Sequence, residues 1–369
     1  MQQALARPAA PSRWHHRRVT TDTDPTPPVT SGADAATASS TDASADSTAS
    51  QATRVAAVVY NPIKVDLDAV KAAVARAEGA AGWGTTLWFE TSEDDAGQGP
   101  AREAVEAGAT MVIAAGGDGT VRAVAETVHA SDASLALLPS GTGNLLARNL
   151  KLTLEDLDNS LETAFSGEDR DIDLGMLEIR REDGSSSEHV YVVMTGLGID
   201  AKMLANTDDD LKKKVGWLAY VKALVATLRD ENQLVFRYRI DGGKQRDMHA
   251  HTIIVGNCGA LPANIVLLPD AAIDDGLFDI LLLRPKGVRG WAHILFKVFW
   301  ENGVVRRLPF ADKLPGTENE ALRYVKAKQI EVELKSPEDI EVDGDGFGVA
   351  TGFRTWIAPG GLTVRVPRS

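Results

Sequence analysis

MVIAAGGDGT, residues 111–120, is an apolar run that stops at two glycines, an aspartate, a glycine and a threonine. Val112, Ile113, Ala114 and Ala115 suit a strand buried on both faces, the pattern of a central parallel strand. Val121, Val124, Ala125 and Val128 then recur at the spacing of one helical face, so the glycines stand where a strand hands over to a helix N-terminus. Free backbone N–H groups and the helix dipole favour negative charge at such a junction, and glycine admits a phosphate with no Cβ in the way. The string is neither a P-loop nor the dinucleotide fingerprint G-x-G-x-x-G. It sets Asp118 beside the expected phosphates, which implies a bridging cation or a hydroxyl to orient.

The same strand, turn and helix unit recurs on both sides of this stretch. Residues 55–60 read as an apolar strand broken by Asn61-Pro62, and 66–78 have helical spacing through Leu67, Val70 and Val74. Residues 85–90 read as a second strand ending at Thr91-Ser92, and Pro100 opens a helix over 101–107. Beyond the glycine loop, 135–138 is strand, Pro139-Ser140-Gly141-Thr142-Gly143-Asn144 is a glycine turn, and 145–150 begins another helix. Alternating strands and helices with short connections predict a parallel sheet wound right-handedly. Turns at the carboxyl ends of such strands line one crevice, so Asn61, Thr91, the 116–120 loop and the 140–144 loop are expected to converge.

After about Asp169 the runs become short, alternating or β-branched: 172–179, 190–194, 235–240, 252–256, 278–283, 330–334 and 362–366. Two helical stretches interrupt them. Residues 211–229 carry Lys212-Lys213-Lys214 and then Trp217, Tyr220, Val221 and Leu224; residues 288–300 carry Trp291, Ile294, Leu295, Val298 and Phe299. Either stretch could be core or could dip into a bilayer surface. The expected organisation is a tail over 1–53, an α/β nucleotide-binding domain over 54–168, and a mostly β domain over 169–369 that completes the crevice.

The chain has 369 residues, of which 44% are hydrophobic and 25% charged, so a sizeable core and two domains are within reach. A net charge of −13 argues against non-specific nucleic-acid binding. Cys258 is the one cysteine, which excludes an intramolecular disulfide and a Cys-based zinc cluster and fits a reducing cytoplasm. No apolar run approaches the roughly 20 residues that cross a bilayer. Residues 19–53 are almost entirely Thr, Ser, Ala, Asp and Pro, a composition that cannot offset its ordering entropy, and disorder is expected there. The basic string at 13–18 is a solvated tip or a small membrane or partner contact; with no apolar segment after it, it does not read as a secretory signal.

Asn61-Pro62, then Gly116-Gly117-Asp118-Gly119-Thr120, then Pro139-Ser140-Gly141-Thr142-Gly143-Asn144, then Pro269-Asp270-Ala271 running into Asp275-Gly276-Leu277-Phe278-Asp279, resembles the bacterial diacylglycerol kinase and YegS-type lipid kinase family. The likeness runs from about Arg54 to Pro367. It implies an α/β domain with a parallel sheet, of the NAD kinase and diacylglycerol kinase type, followed by a β sandwich, with catalysis in the cleft. It assigns Asn61, Thr91, the loop Gly116, Gly117, Asp118, Gly119, Thr120, and Gly141 and Thr142 to ATP. Asn144, Arg148 and Asp173 fall where phosphate or acceptor would be positioned. A separate Mg²⁺ site is implied at Asp275, helped by main-chain carbonyls at Ala272 and Leu277.

Phosphoryl transfer to an alcohol needs a base near the hydroxyl. The resemblance places it in a D-G-E motif, which here reads Asp343-Gly344-Asp345, so Asp345 takes the glutamate's place with about 1.5 Å less reach. Leu145 stands where many relatives carry Asp. The implied activity is ATP- and Mg²⁺-dependent phosphorylation of a lipid hydroxyl, diacylglycerol to phosphatidic acid, in phospholipid synthesis. A sphingoid-base or NAD-type kinase shares the loops, and a nucleotide-binding regulator without turnover is a reading of another class. The expected partner is a lipid at the inner face of the membrane, met peripherally from the cytoplasm, with no nucleic acid and with a homodimer left open.

Overall fold

The computed structural model describes residues 54–154, 156–198, 233–261, 265–284 and 322–368. The tail over 1–53, the lysine-bearing stretch 211–229 and the stretch 288–300 lie outside the described residues.

The apolar run after Arg54 becomes β1 (Ala56–Tyr60), followed by α1 (Leu67–Ala81), β2 (Leu87–Glu90), α2 (Gln98–Glu106), β3 (Met111–Gly116), α3 (Asp118–Val128), β4 (Ser134–Pro139), α4 (Leu145–Asn149) and α5 (Leu157–Ser166). Strands β2, β1, β3 and β4 lie side by side in that order, all parallel. Every residue of β1 and β3 is buried, as strands covered by helices on both faces require. Val70, Val74, Leu161 and Phe165 cover one face over Val58 and Ile113; Val121, Val124 and Leu146 cover the other over Val112 and Leu135. Local signals set the helix ends. The Asp66 carboxylate accepts the Ala69 N–H at 3.2 Å to start α1, and Gly82 stops it in the left-handed region at φ 69°.

The remainder is β5 (Glu168–Arg180), β6 (Ser186–Tyr191), β7 (Met194–Leu197), β8 (Leu234–Ile240), β9 (Arg246–Ala250), β10 (Thr252–Gly256), β11 (Ala260–Leu261), β12 (Ile265–Val266), β13 (Phe278–Leu283), β14 (Leu322–Ala327), β15 (Gln329–Val342) and β16 (Asp345–Val366). Antiparallel pairing runs β14, β13, β10, β7, β15, β16, with β5 and β6 added through β16 and β8 and β9 through β15. Phe236, Tyr238, Ile253, Phe278, Ile330, Val332 and Phe353 form the buried layer of this β sandwich-like part. Near its C-terminal end β16 lies parallel to β4, with Val364 opposite Leu135, so one strand joins both sets.

Three features depart from the pattern read in the sequence. A helix, α5, occupies 157–166, capped by the Asp156 carboxylate on the Asn159 N–H at 3.0 Å. The run 190–194 is two strands, because the Asp343 carboxylate draws in the N–H groups of Val192, Val193 and Met194 at 2.8, 2.9 and 2.9 Å and breaks the ladder there. β5 starts at Glu168, four residues before the run expected from Ile172, and pairs there with Val366.

Candidate active site

The carboxyl ends of the four parallel strands meet. The Asn61 N–H donates to Ala115 O at 3.0 Å, the Thr91 N–H to Tyr60 O at 2.9 Å and the Ser140 N–H to Gly116 O at 3.1 Å. Asn61 Oδ1 accepts the Ile63 N–H at 3.0 Å, a side-chain-closed turn. That turn sends Lys64 toward the glycine loop, where its Nζ lies 3.5 Å from the point a Gly117 Cβ would occupy. The Lys64 ammonium makes no hydrogen bond or ion pair among the described residues.

Close packing, rather than left-handed backbone, explains these glycines. A Cβ at Gly116 would meet Thr120 Oγ1 at 2.6 Å, and one at Gly141 would meet the Gly117 Cα at 2.8 Å, so the two loops touch backbone to backbone. Asp118 Oδ1 accepts the Leu145 N–H at 2.6 Å, and Asp118 Oδ2 lies against Gly143. The loop aspartate thus caps α4 and ties the second glycine turn to the first. Burial raises the Asp118 carboxyl above the ordinary range, the N–H groups of Leu145 and Asn144 offset this in part, and the negative charge of Asp345 adds to it.

The turn over 141–144 is held by Asn144, whose Oδ1 accepts the Gly141 N–H at 3.2 Å while its Nδ2 donates to Gly141 O at 2.8 Å. Asn144 sits at φ 48°, a conformation asparagine tolerates. Arg148 Nε donates to Gly143 O at 2.7 Å and so braces the same turn. Thr142 is exposed at its crest. Asn144 and Arg148, expected to position phosphate or acceptor, are engaged in shaping the loop through these bonds.

Asp345 reaches this cluster from the other end of the sequence. Asp343 and Gly344 make a two-residue hairpin turn between β15 and β16, both at positive φ (51° and 92°), the Asp-Gly geometry of a primed turn. Asp343 points inward, 4% exposed, and its three N–H donors do not outweigh burial, which pushes its carboxyl up to about 6. Asp345 points outward with its side chain 52% exposed, and its Oδ2 lies 3.0 Å from the position of a Gly119 Cβ. Arg122, on the second turn of α3 and nearly fully buried, holds Nη2 3.7 Å from that oxygen and Nη1 3.4 Å from Glu126 Oε2. Its guanidinium lies over the Phe347 ring at 4.7 Å.

Asp173 is placed elsewhere. It is 2% exposed, and its two oxygens accept the Gly276 N–H at 2.6 Å and the Gly360 N–H at 2.9 Å. It fastens the 273–276 loop to the β16 turn, with no exposed carboxylate for an acceptor. In that loop Asp275 Oδ1 accepts the Leu277 N–H at 3.0 Å, and Asp275 Oδ2 is 2.7 Å from Lys326 Nζ. Burial acts against the Lys326 ammonium, yet the bond to Asp275 and the charges of Asp279 and Asp275 leave it raised. Both oxygens of the expected metal-binding carboxylate therefore have partners, one of them already a cation. Among the described residues no group of three or more His, Cys, Asp or Glu side chains is arranged to hold a metal ion. The Asp275 carboxylate, held by the Leu277 N–H and the Lys326 ammonium, does not fit a Mg²⁺ ligand as it stands.

Three neighbours of interest escaped the sequence reading. Arg122 had a signal, a charge on the buried face of α3 four residues after Asp118. Lys64 had a weaker one, a lone lysine just past Asn61-Pro62. Lys326 had none, because only strand register brings it to Asp279.

The diacylglycerol kinase catalytic domain family matches residues 56–177, and the YegS C-terminal NAD kinase beta sandwich-like domain matches 192–366. A protein of Pseudomonas fluorescens strain Pf-5 named "Probable lipid kinase YegS-like" is 33% identical over 307 residues, 81% of this chain and 90% of the relative. One of the same name from Pseudomonas putida is 30% identical over 270 residues, 72% and 80% of the two chains. Two Bacillus anthracis crystal structures, one described as "a putative diacylglycerol kinase" and one as a diacylglycerol kinase, superpose with TM-scores of 0.64 and 0.58 at 21% and 18% identity. They cover 85% of this chain and 94% and 96% of theirs. At that identity they show the fold.

Proposed function

The chain belongs to the YegS-like lipid kinase family, and from that membership we propose that it transfers the γ-phosphoryl group of ATP to a lipid hydroxyl, with diacylglycerol as acceptor and phosphatidic acid as product. The observation that supports this most is the approach of Asp345 to the glycine loop, with Oδ2 3.0 Å from the place of a Gly119 Cβ. A carboxylate from the β sandwich-like part thereby stands next to an anion-binding helix N-terminus.

In this reading the phosphates lie over the 116–120 and 141–142 backbone, and the Lys64 ammonium and the exposed Thr142 hydroxyl face them as donors. Magnesium carried by the nucleotide supplies charge neutralisation across the phosphates. Asp345 accepts the proton of the acceptor hydroxyl as the hydroxyl oxygen bonds to the γ-phosphorus and the bond from that phosphorus to the departing ADP oxygen breaks. Arg122, 3.7 Å away, orients that carboxylate. Asp118 keeps the two loops in register through the Leu145 N–H. The acceptor is met peripherally at the inner face of the membrane; no helix of the described residues is long and apolar enough to cross one.

The test is transfer of labelled phosphate from Mg-ATP to diacylglycerol, monoacylglycerol, sphingosine, undecaprenol and NAD, the lipids in mixed micelles, with Asp345→Asn alongside. Phosphatidic acid that disappears in the variant is expected. Label on sphingosine or NAD instead would replace the acceptor and keep the mechanism. ATP binding without label on any acceptor would leave a nucleotide-binding regulator.

A further inference from the structure

The loop from Asp270 to Asp279 carries four aspartates within ten residues, at 270, 274, 275 and 279. The family resemblance implies a divalent cation on Asp275, a carboxylate that the Lys326 ammonium already holds. β13 and β14 pair antiparallel with Asp279 directly opposite Lys326, so the ladder itself delivers a lysine to the loop. Lys326 Nζ donates to Asp270 O at 2.7 Å and to Asp275 Oδ2 at 2.7 Å, and lies 3.5 Å from Asp279 Oδ2. An ammonium has three N–H donors, and here three oxygens surround it. Asp274 is engaged separately by Arg170 at 2.5 Å, and the Gly276 N–H by Asp173. A dication bound to Asp275 at about 2.0–2.6 Å would stand within about 5 Å of Nζ, both cations competing for the same oxygen.

We propose that Lys326 is the built-in counter-ion of this loop, standing in for the divalent cation that the family resemblance places on Asp275, so that the 270–279 loop closes without metal. The loop is then closed by the chain's own ion pair and hydrogen bonds, fixed by strand register and indifferent to magnesium supply. Any dependence of the protein on magnesium would arise with the nucleotide. This concerns the fold, so it stands or falls separately from phosphoryl transfer.

The test uses the full chain free of nucleotide. Thermal unfolding is followed in EDTA and in millimolar MgCl₂ or CaCl₂, and Mn²⁺ binding is titrated by electron paramagnetic resonance, for the unaltered protein, Asp275→Asn, Lys326→Met and Lys326→Arg. The expected results are no metal-induced shift in the unaltered protein that depends on Asp275, and the same insensitivity in Lys326→Arg. Lys326→Met is expected to melt earlier in EDTA, to regain the loss on adding Mg²⁺ or Ca²⁺, and to bind a Mn²⁺ that the unaltered protein does not. Metal stabilisation or Mn²⁺ binding in the unaltered protein that Asp275→Asn abolishes would overturn the proposal. So would a Lys326→Met protein that folds and melts identically with and without metal. Should Lys326→Met fail to fold even with metal, the Asp275-dependence of Mn²⁺ binding in the unaltered protein decides.

Discussion

Gly117→Ala separates what the protein needs from what a bound phosphate needs. Gly117 has φ −90° and ψ −171°, extended backbone open to alanine. The nearest atoms to an added Cβ are Lys64 Nζ at 3.5 Å and Gly141 Cα at 3.9 Å, ordinary contacts. The apoprotein should therefore accept the methyl, and stiffening the unfolded chain should stabilise it by about 0.4–1 kcal/mol. A phosphate resting on the loop would be pushed outward, and a displacement near 1 Å costs about 10²-fold in transfer. Affinity for Mg-ATP should fall at least about tenfold, roughly 1.4 kcal/mol. Gly141→Ala is the contrasting variant. Its Cβ would stand 2.8 Å from the Gly117 Cα, against about 3.5–4.0 Å for carbon contacts, so the loops must part by about 1 Å and stability falls with binding. Melting curves and calorimetric titration with Mg-ATP read both quantities. A Gly117→Ala protein that melts normally and binds Mg-ATP with unchanged affinity would refute the placement of phosphates over this loop.

Other expectations are narrower. Asp345→Asn should lower phosphoryl transfer by about 10²–10⁴ while Mg-ATP binding persists; equal loss of binding would assign Asp345 to the nucleotide instead. Asp343, raised from 3.8 to about 6 by burial, favours folding when protonated. Its contribution is full below about pH 4 and lost as pH rises through about 6, roughly 3 kcal/mol in all and about 1.4 kcal/mol between about pH 5 and 7.5. Urea titrations of the unaltered protein and Asp343→Asn should diverge by that amount on acidification, and a flat difference would contradict the assignment. Asp173→Ala leaves the Gly276 and Gly360 N–H groups unpaired, at about 1–3 kcal/mol each. Denaturant midpoints should show the loss, and a change under about 1 kcal/mol would return Asp173 to the acceptor.

Local chemistry made the parallel half readable. The continuous apolar run at 111–115 and the helical spacing after it specify a covered strand and a helix with no help from distant residues. Helix α5 was equally written in the sequence, with Asp156 as cap and Leu157, Leu161, Ala164 and Phe165 on one face, but the short 10-residue segment sits between stronger signals. β9 and β14, RDMHA and LRYVKA, carry so many polar residues that only pairing makes them strands. The same divide holds at the candidate site. Glycines at a strand end declare an anion-binding shape, whereas the use of Asp173 and Asp275 depended on which distant N–H or ammonium the fold brought to each carboxylate.

β16 spans 22 residues, from Asp345 beside the glycine loop to Val366, with its Val364 opposite Leu135 of the parallel set. Arg365, in its last turnings, reaches Ala164 O and Gly167 O across to α5. One strand therefore ties together the two modules recognised along the sequence. A fragment ending near residue 177 would lose the strand beside β4 and bare a row of main-chain donors and acceptors, the kind of open edge on which chains stick to one another. The first module by itself would present that bare edge at β4 to solvent.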